Sequence, residues 1–161
     1  MCGLVGGGVL APVPPADWRA VHGMMVAQCF PDVPHEYDEA AQAFARVCMV
    51  TPVDDPLGVV FVLGEPQDGI TYLDVVCSPD MAGRWASRRV MRALAALAFG
   101  GLKLRAVWVQ AHGTDALRAA LAAGFVPATD LDVPVPVLVM TPHSACWLLN
   151  GKKERENGKF V

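Results

Sequence analysis

From Trp18 to Cys29, residues at helical spacing (Trp18, Val21, Met24 or Met25, and Gln28 or Cys29) predict a first helix over about 17 to 29 with Asp17 as its N-cap. "EYDEAAQAFARVC" carries acidic residues at its start and Arg46 near its end, both favourable to a helix dipole, so a second helix is predicted over 36 to 47. The pattern then changes. "CMVTPV", "GVVFVLGE" and "ITYLDVVCS" are β-rich runs separated by "DDPLG" and "PQDG", whose Asp, Pro and Gly suit tight turns; together they predict an antiparallel meander.

"RWASRRVMRALAALAF" returns to strong helix formers and is closed by Gly100 and Gly101. "KLRAVWVQA" reads as a strand, and "TDALRAALAAGF" as a fourth helix with Thr114 or Asp115 as cap and Gly124 as stop. "VPVPVLVMTP" supplies a last strand whose start Pro134 and Pro136 push to a sheet edge. This order implies an α+β fold with a mixed sheet. There is no internal repeat and no long linker: residues 1 to 140 are expected to form a single domain, and 141 to 161 a C-terminal extension held by a partner.

Composition adds a surface question. Of the 161 residues 53% are apolar and 18% charged, against roughly 45–50% and 25% in ordinary soluble domains. That excess points to a protein partner or to self-assembly. The longest apolar runs, "VVFVL" and "ALAALAF", fall far short of the roughly 20 residues that span a bilayer. The start lacks positive charge, and Pro12, Pro14 and Pro15 interrupt any apolar stretch, so export by a standard signal is not expected. Five scattered cysteines without a CxxC pair, and four histidines without HxxxH or HExxH spacing, read as reduced thiols and no metal site. Net charge is -3, and the basic "GKKER" is interleaved with Glu154 and Glu156, so no nucleic acid partner is expected.

The loop "CSPDMAGRWASRRVM", residues 77 to 91, leads from the third β run into the third helix. With "GTDALRAALAAGF" and "APVPPADWRAV", it resembles the GNAT superfamily of acyl-CoA-dependent N-acetyltransferases over residues 8 to 140. In that family a central strand passes through a V-x-P-x-x-R-G-x-G-x-G/A loop into a helix. Pro79 and Gly83 match; Ala82 stands at the Arg or Gln position, Trp85 at the second loop glycine and Ser87 at the third small residue. Of the family's N-x-x-A-x-x-x-Y-x-x-x-G-F stretch, Ala116, Gly124 and Phe125 are kept, while Gly113 replaces the Asn and Ala120 the Tyr. The resemblance implies a GNAT-like mixed, mostly antiparallel sheet flanked by about four helices.

In that family, successive backbone N–H groups at the helix start hold the CoA pyrophosphate. Trp85 is expected to fill that cleft, and with it no cofactor is expected; if the chain is active, the resemblance implies acetyl-CoA, with Gly83, Arg84, Ser87 and Arg88 as the candidate binding residues. Acetyl transfer also needs a base and, usually, an acid. The family's common Tyr acid is Ala120 here, and Asp74, alternating with Leu73 and Val75, is the first candidate base, followed by Tyr72 and His112. "MCGLVG" separately resembles the opening of the class II glutamine amidotransferases, where removal of Met1 exposes Cys2 as nucleophile. Nothing downstream resembles their N-G-E or R-G-P-D segments, which leaves Cys2 an ordinary thiol.

Two functions follow. With catalytic positions replaced and the fold kept, the first expectation is a non-catalytic GNAT-fold component of a larger assembly. It loosely resembles accessory proteins of short-tailed bacteriophages, which implies a virion or the cytoplasm of a bacterial host. The alternative is a divergent acetyl-CoA-dependent N-acetyltransferase. A cleft filled by Trp85 favours the first; splayed central strands beside an open cleft favour the second.

Overall fold

The computed structural model describes residues 7–81, 84–128 and 133–145. Strands β1 (Leu10–Pro12), β2 (Cys48–Pro52), β3 (Val59–Leu63), β4 (Ile70–Cys77), β5 (Ala106–Gln110), β6 (Val126–Pro127) and β7 (Val137–Met140) form one sheet in the order β1-β2-β3-β4-β5-β7-β6. Helices α1 (Trp18–Ala27), α2 (Tyr37–Phe44), α3 (Arg88–Ala95) and α4 (Thr114–Ala122) cover it. Every neighbouring pair is antiparallel except β4 with β5. The predicted meander is β2-β3-β4, and the α+β class with a mixed, mostly antiparallel sheet is the one the order of elements implies.

β3 explains why the sheet is covered on both sides. Its run VVFVL has no polar alternation, and all five residues are buried. Val60 and Val62 pack with Val76, Met25 and Phe44 on the α1/α2 face, whereas Val59, Phe61 and Leu63 pack with Met91, Leu94 and Phe125 on the α3/α4 face.

Several boundaries differ from expectation. α3 begins at Arg88 because Ser87 caps it, accepting from the Val90 N–H at 3.3 Å, and the helix then widens into a π-helical stretch over Ala96–Gly101. Asp17 stands at the N-cap of α1 without a side-chain capping bond, and Gly113, at φ 97°, takes the N-cap of α4 in place of Thr114 or Asp115. β7 lies between β5 and β6 rather than at an edge; Pro134 and Pro136 precede it, and the edge belongs to the two-residue β6. Ala145, just past β7, is fully buried in the core, while Cys2 with its "MCGLVG" and residues 146–161 lie outside the described residues. Among the described residues no helix is long and apolar enough to cross a membrane.

Gly64 ends β3 where the chain passes Tyr72. Its N–H donates to the Tyr72 carbonyl at 3.1 Å, and a Cβ at Gly64 would run into the Tyr72 ring. Gly64→Ala is therefore expected to cost about 1–3 kcal/mol, read as a lower urea midpoint at unchanged m.

Candidate active site

β4 and β5 are paired only at Ile70↔Ala106, Thr71↔Val107 and Tyr72↔Trp108. Past Tyr72 the strands part: β4 stays in register with β3 as far as Cys77, and β5 stays with β7 as far as Gln110. The gap opens a cleft of about 680 Å³, within the usual range of roughly 300–1,000 Å³ for small-molecule sites. Side chains from both faces of the sheet line it, Val62 and Asp74 from the α1/α2 face and Leu73, Trp85 and Ala120 from the other. An unbroken sheet would keep those two sets apart.

The gap also exposes backbone. Gly64 N–H donates to Tyr72 C=O, and Ser78 N–H donates to Gly58 C=O at 3.0 Å. Even-numbered β4 residues therefore exchange hydrogen bonds with β3, and odd-numbered ones turn their N–H and C=O groups to the opposite edge. The Cys77 carbonyl on that edge accepts from Gln28 Nε2 at 2.6 Å. Val75 lies between, lining the cleft, and among the described residues no strand pairs with its free edge.

Trp85 corrects one expectation. Its indole is turned into the core, 8% exposed, and meets Phe61 edge-on with ring centroids 6.0 Å apart. It forms a wall of the cleft and leaves the cleft open.

Asp74 points to the α1/α2 face and is the most perturbed acid of the site. Burial pushes its carboxyl up to about 6, the Asp32 charge adds to the rise, and His112 pulls the other way. Tyr72, two residues earlier on the same face, has its phenol raised by burial and by the charges of Asp74 and Asp32. The structure thus brings together Asp74, Tyr72 and His112, the three candidate bases, and adds Asp32, which sequence reasoning missed. Asp32 sits in the loop "FPDVP" after α1, where no periodicity marks which residue faces inward.

The candidate cofactor residues do not share one place. Arg84 is exposed just ahead of α3, Ser87 is occupied as its cap, and Gly83 lies outside the described residues. Arg88 lines a separate depression with Arg89, Arg92 and Val9, and Arg89 pairs there with Asp54 at 2.7 Å. Ala120, at the position where the resemblance expects a Tyr, is buried on the cleft wall and leaves that volume empty. Among the described residues no group of His, Cys, Asp and Glu is arranged to hold a metal ion.

No protein-family model matches the sequence, and no curated protein does. Solved structures do. The chain is similar to a point mutant of the Vibrio cholerae spermidine N-acetyltransferase SpeG, at TM-score 0.66 and 13% identity over 88% of this chain and 97% of that one. It is similar to a dodecameric structure of the same enzyme in an intermediate state (TM-score 0.62, 14% identity, 89% and 97% covered). It also resembles a chimera of Vibrio cholerae SpeG and hSSAT (TM-score 0.63, 14% identity, 86% and 96% covered). At such identity the likeness establishes the fold, which is GNAT-like. It also overturns the expectation of a non-catalytic component of a phage particle: the matching structures are acetyltransferases, and Trp85, expected to fill the cleft, lines it instead.

A raised carboxyl has a stability consequence. Asp74 holds its proton more tightly folded than unfolded, so the folded state loses stability as pH rises from near 3.8 through about 6. Asp74→Asn is expected to raise stability by about 1–2 kcal/mol at pH 8, allowing for water in the cleft, and to change little at pH 4. Urea unfolding at the two pH values measures the difference.

Proposed function

We propose that the chain is an acetyl-CoA-dependent N-acetyltransferase acting on a primary amine. The observation that carries this reading is the gap between β4 and β5, an opening that lets two reactants meet from opposite faces of one sheet. The acetyltransferase names of the structural neighbours support it.

The residues present suit acetyl-CoA, which supplies an acetyl group held as a thioester. The free edge of β4 at Val75 offers an N–H and a C=O to the amides of an extended pantetheine arm, in the manner of an added strand. The first turn of α3 behind Ser87, with Arg84 and Gly83 before it, suits the pyrophosphate. Arg88 faces the depression beside Val9 and is the least suited of the four.

An acceptor ammonium entering from the α1/α2 face meets Asp74. Burial weakens the amine's own hold on its proton, and Asp74, ionised above about pH 6, takes it. The freed lone pair attacks the thioester carbonyl carbon, a C–N bond forms, the C–S bond breaks, and the nitrogen's second proton returns to Tyr72 once that residue has protonated the sulfur. Ala120 has no proton to give the departing sulfur; Tyr72, whose phenol stays protonated through the neutral range, supplies it. Self-association fits the same reading, because Leu121 of α4 and Val126 of the edge strand β6 are exposed and one neighbour is dodecameric.

Calorimetric titration with acetyl-CoA is expected to show one site of micromolar affinity; no heat at millimolar ligand sinks the proposal. In a thiol-release assay with amine acceptors, kcat/KM is expected to fall tenfold per pH unit below about 6. Asp74→Asn is expected to lower kcat/KM by about 10²–10⁴ and to abolish that limb.

A further inference from the structure

The acceptor side of the cleft is unequally furnished. Its walls are apolar: Met25 from α1, Phe30 and Val33 from the loop after it, Phe44 from α2, and Val47 beyond. α2 carries the acids Asp38 and Glu39, but neither lines the cleft, to which it presents Ala40, Ala43 and Phe44. On this side the carboxylates that line the cleft are Asp32, in the loop after α1, and Asp74, on β4, and the charge of the first acts on the second. Asp115 belongs to the first turn of α4, across the gap.

The loop wall is also fixed in place. His22 Nε2 donates to the Pro34 carbonyl at 2.7 Å, the Phe30 N–H donates to the Met25 carbonyl at 3.1 Å, and Gln28 holds the end of β4. The pocket is therefore shaped before a ligand arrives, and binding need not order it.

We infer that the acceptor is a primary amine carrying one compact apolar body, rather than a linear polyamine. The ammonium sits at Asp74, within reach of the Asp32 charge, and the body lies against Phe30, Phe44 and Val47. A second ammonium lying along the wall of Phe30, Phe44 and Val47, which among the described residues offers no carboxylate, would lose water without gaining a counter-charge, which is strongly unfavourable. An aryl or alkyl group gains by the same burial. The inference departs from the spermidine acceptors of the structural neighbours, and it rests on the acetyltransferase reading only for the transfer step.

Calorimetry on the full chain, with 2-phenylethylamine and spermidine as probes, tests it. The expected result is at least tenfold tighter binding of 2-phenylethylamine, with Val47→Asp, a change at a partly buried position, reversing the preference. Spermidine binding as tightly or more tightly, or neither amine binding, overturns the inference. A retained preference for 2-phenylethylamine without acetyl transfer would remove the acetyltransferase reading and leave the amine site standing.

Discussion

Past Tyr72, β4 is hydrogen-bonded along one edge only, and the remainder of the site is arranged around that fact. A half-paired strand frays unless something else holds it. Here β3 does so, through continuous register to Cys77 and through five residues buried between two helical layers. Gln28 reaches from the end of α1 to satisfy the Cys77 carbonyl, so the last exposed acceptor of the strand has a partner. The cleft is the space that β5 vacates by following β7 instead.

Placing a carboxylate in that space has opposed effects. Asp74 sits beside Val62 and below apolar walls, and a second carboxylate at Asp32 works against its ionisation. A sheet selected for stability alone would carry an apolar side chain there. The group that burdens the fold is the carboxyl whose proton affinity is pushed up toward neutrality, which is the usual relation between a functional site and its stability.

Much of the architecture was legible because it rests on local signals. The apolar runs of β2, β3 and β4 and their Asp, Pro and Gly turns placed the meander, and the spacing of Trp18, Val21 and Met25 placed α1. α3 was drawn too long because Arg84, Trp85 and Ala86 are acceptable in a helix; only the capping geometry of Ser87 stops it. β6 is two residues long and leaves no period to detect. At the site, Asp74 and the vacant Ala120 position could be read from alternation and motif spacing. The direction of the Trp85 side chain could not, because the contact that turns it inward comes from Phe61, far away in sequence. Motif spacing alone makes that side chain a plug, and the packing makes it a wall. Asp32 stayed hidden for a similar reason, its approach to Asp74 being set by how the loop after α1 folds back.

A cleft that passes through a sheet has two mouths. Under the proposed acetyl transfer, donor and acceptor would arrive and depart by separate doors, in either order, and stand in the opening together. A chain that transfers a group across such a passage has no need to carry it on a side chain of its own, so both the loss of the expected tyrosine and the lack of an activated nucleophile at Cys77, whose thiol burial holds in its neutral form, are compatible with direct transfer.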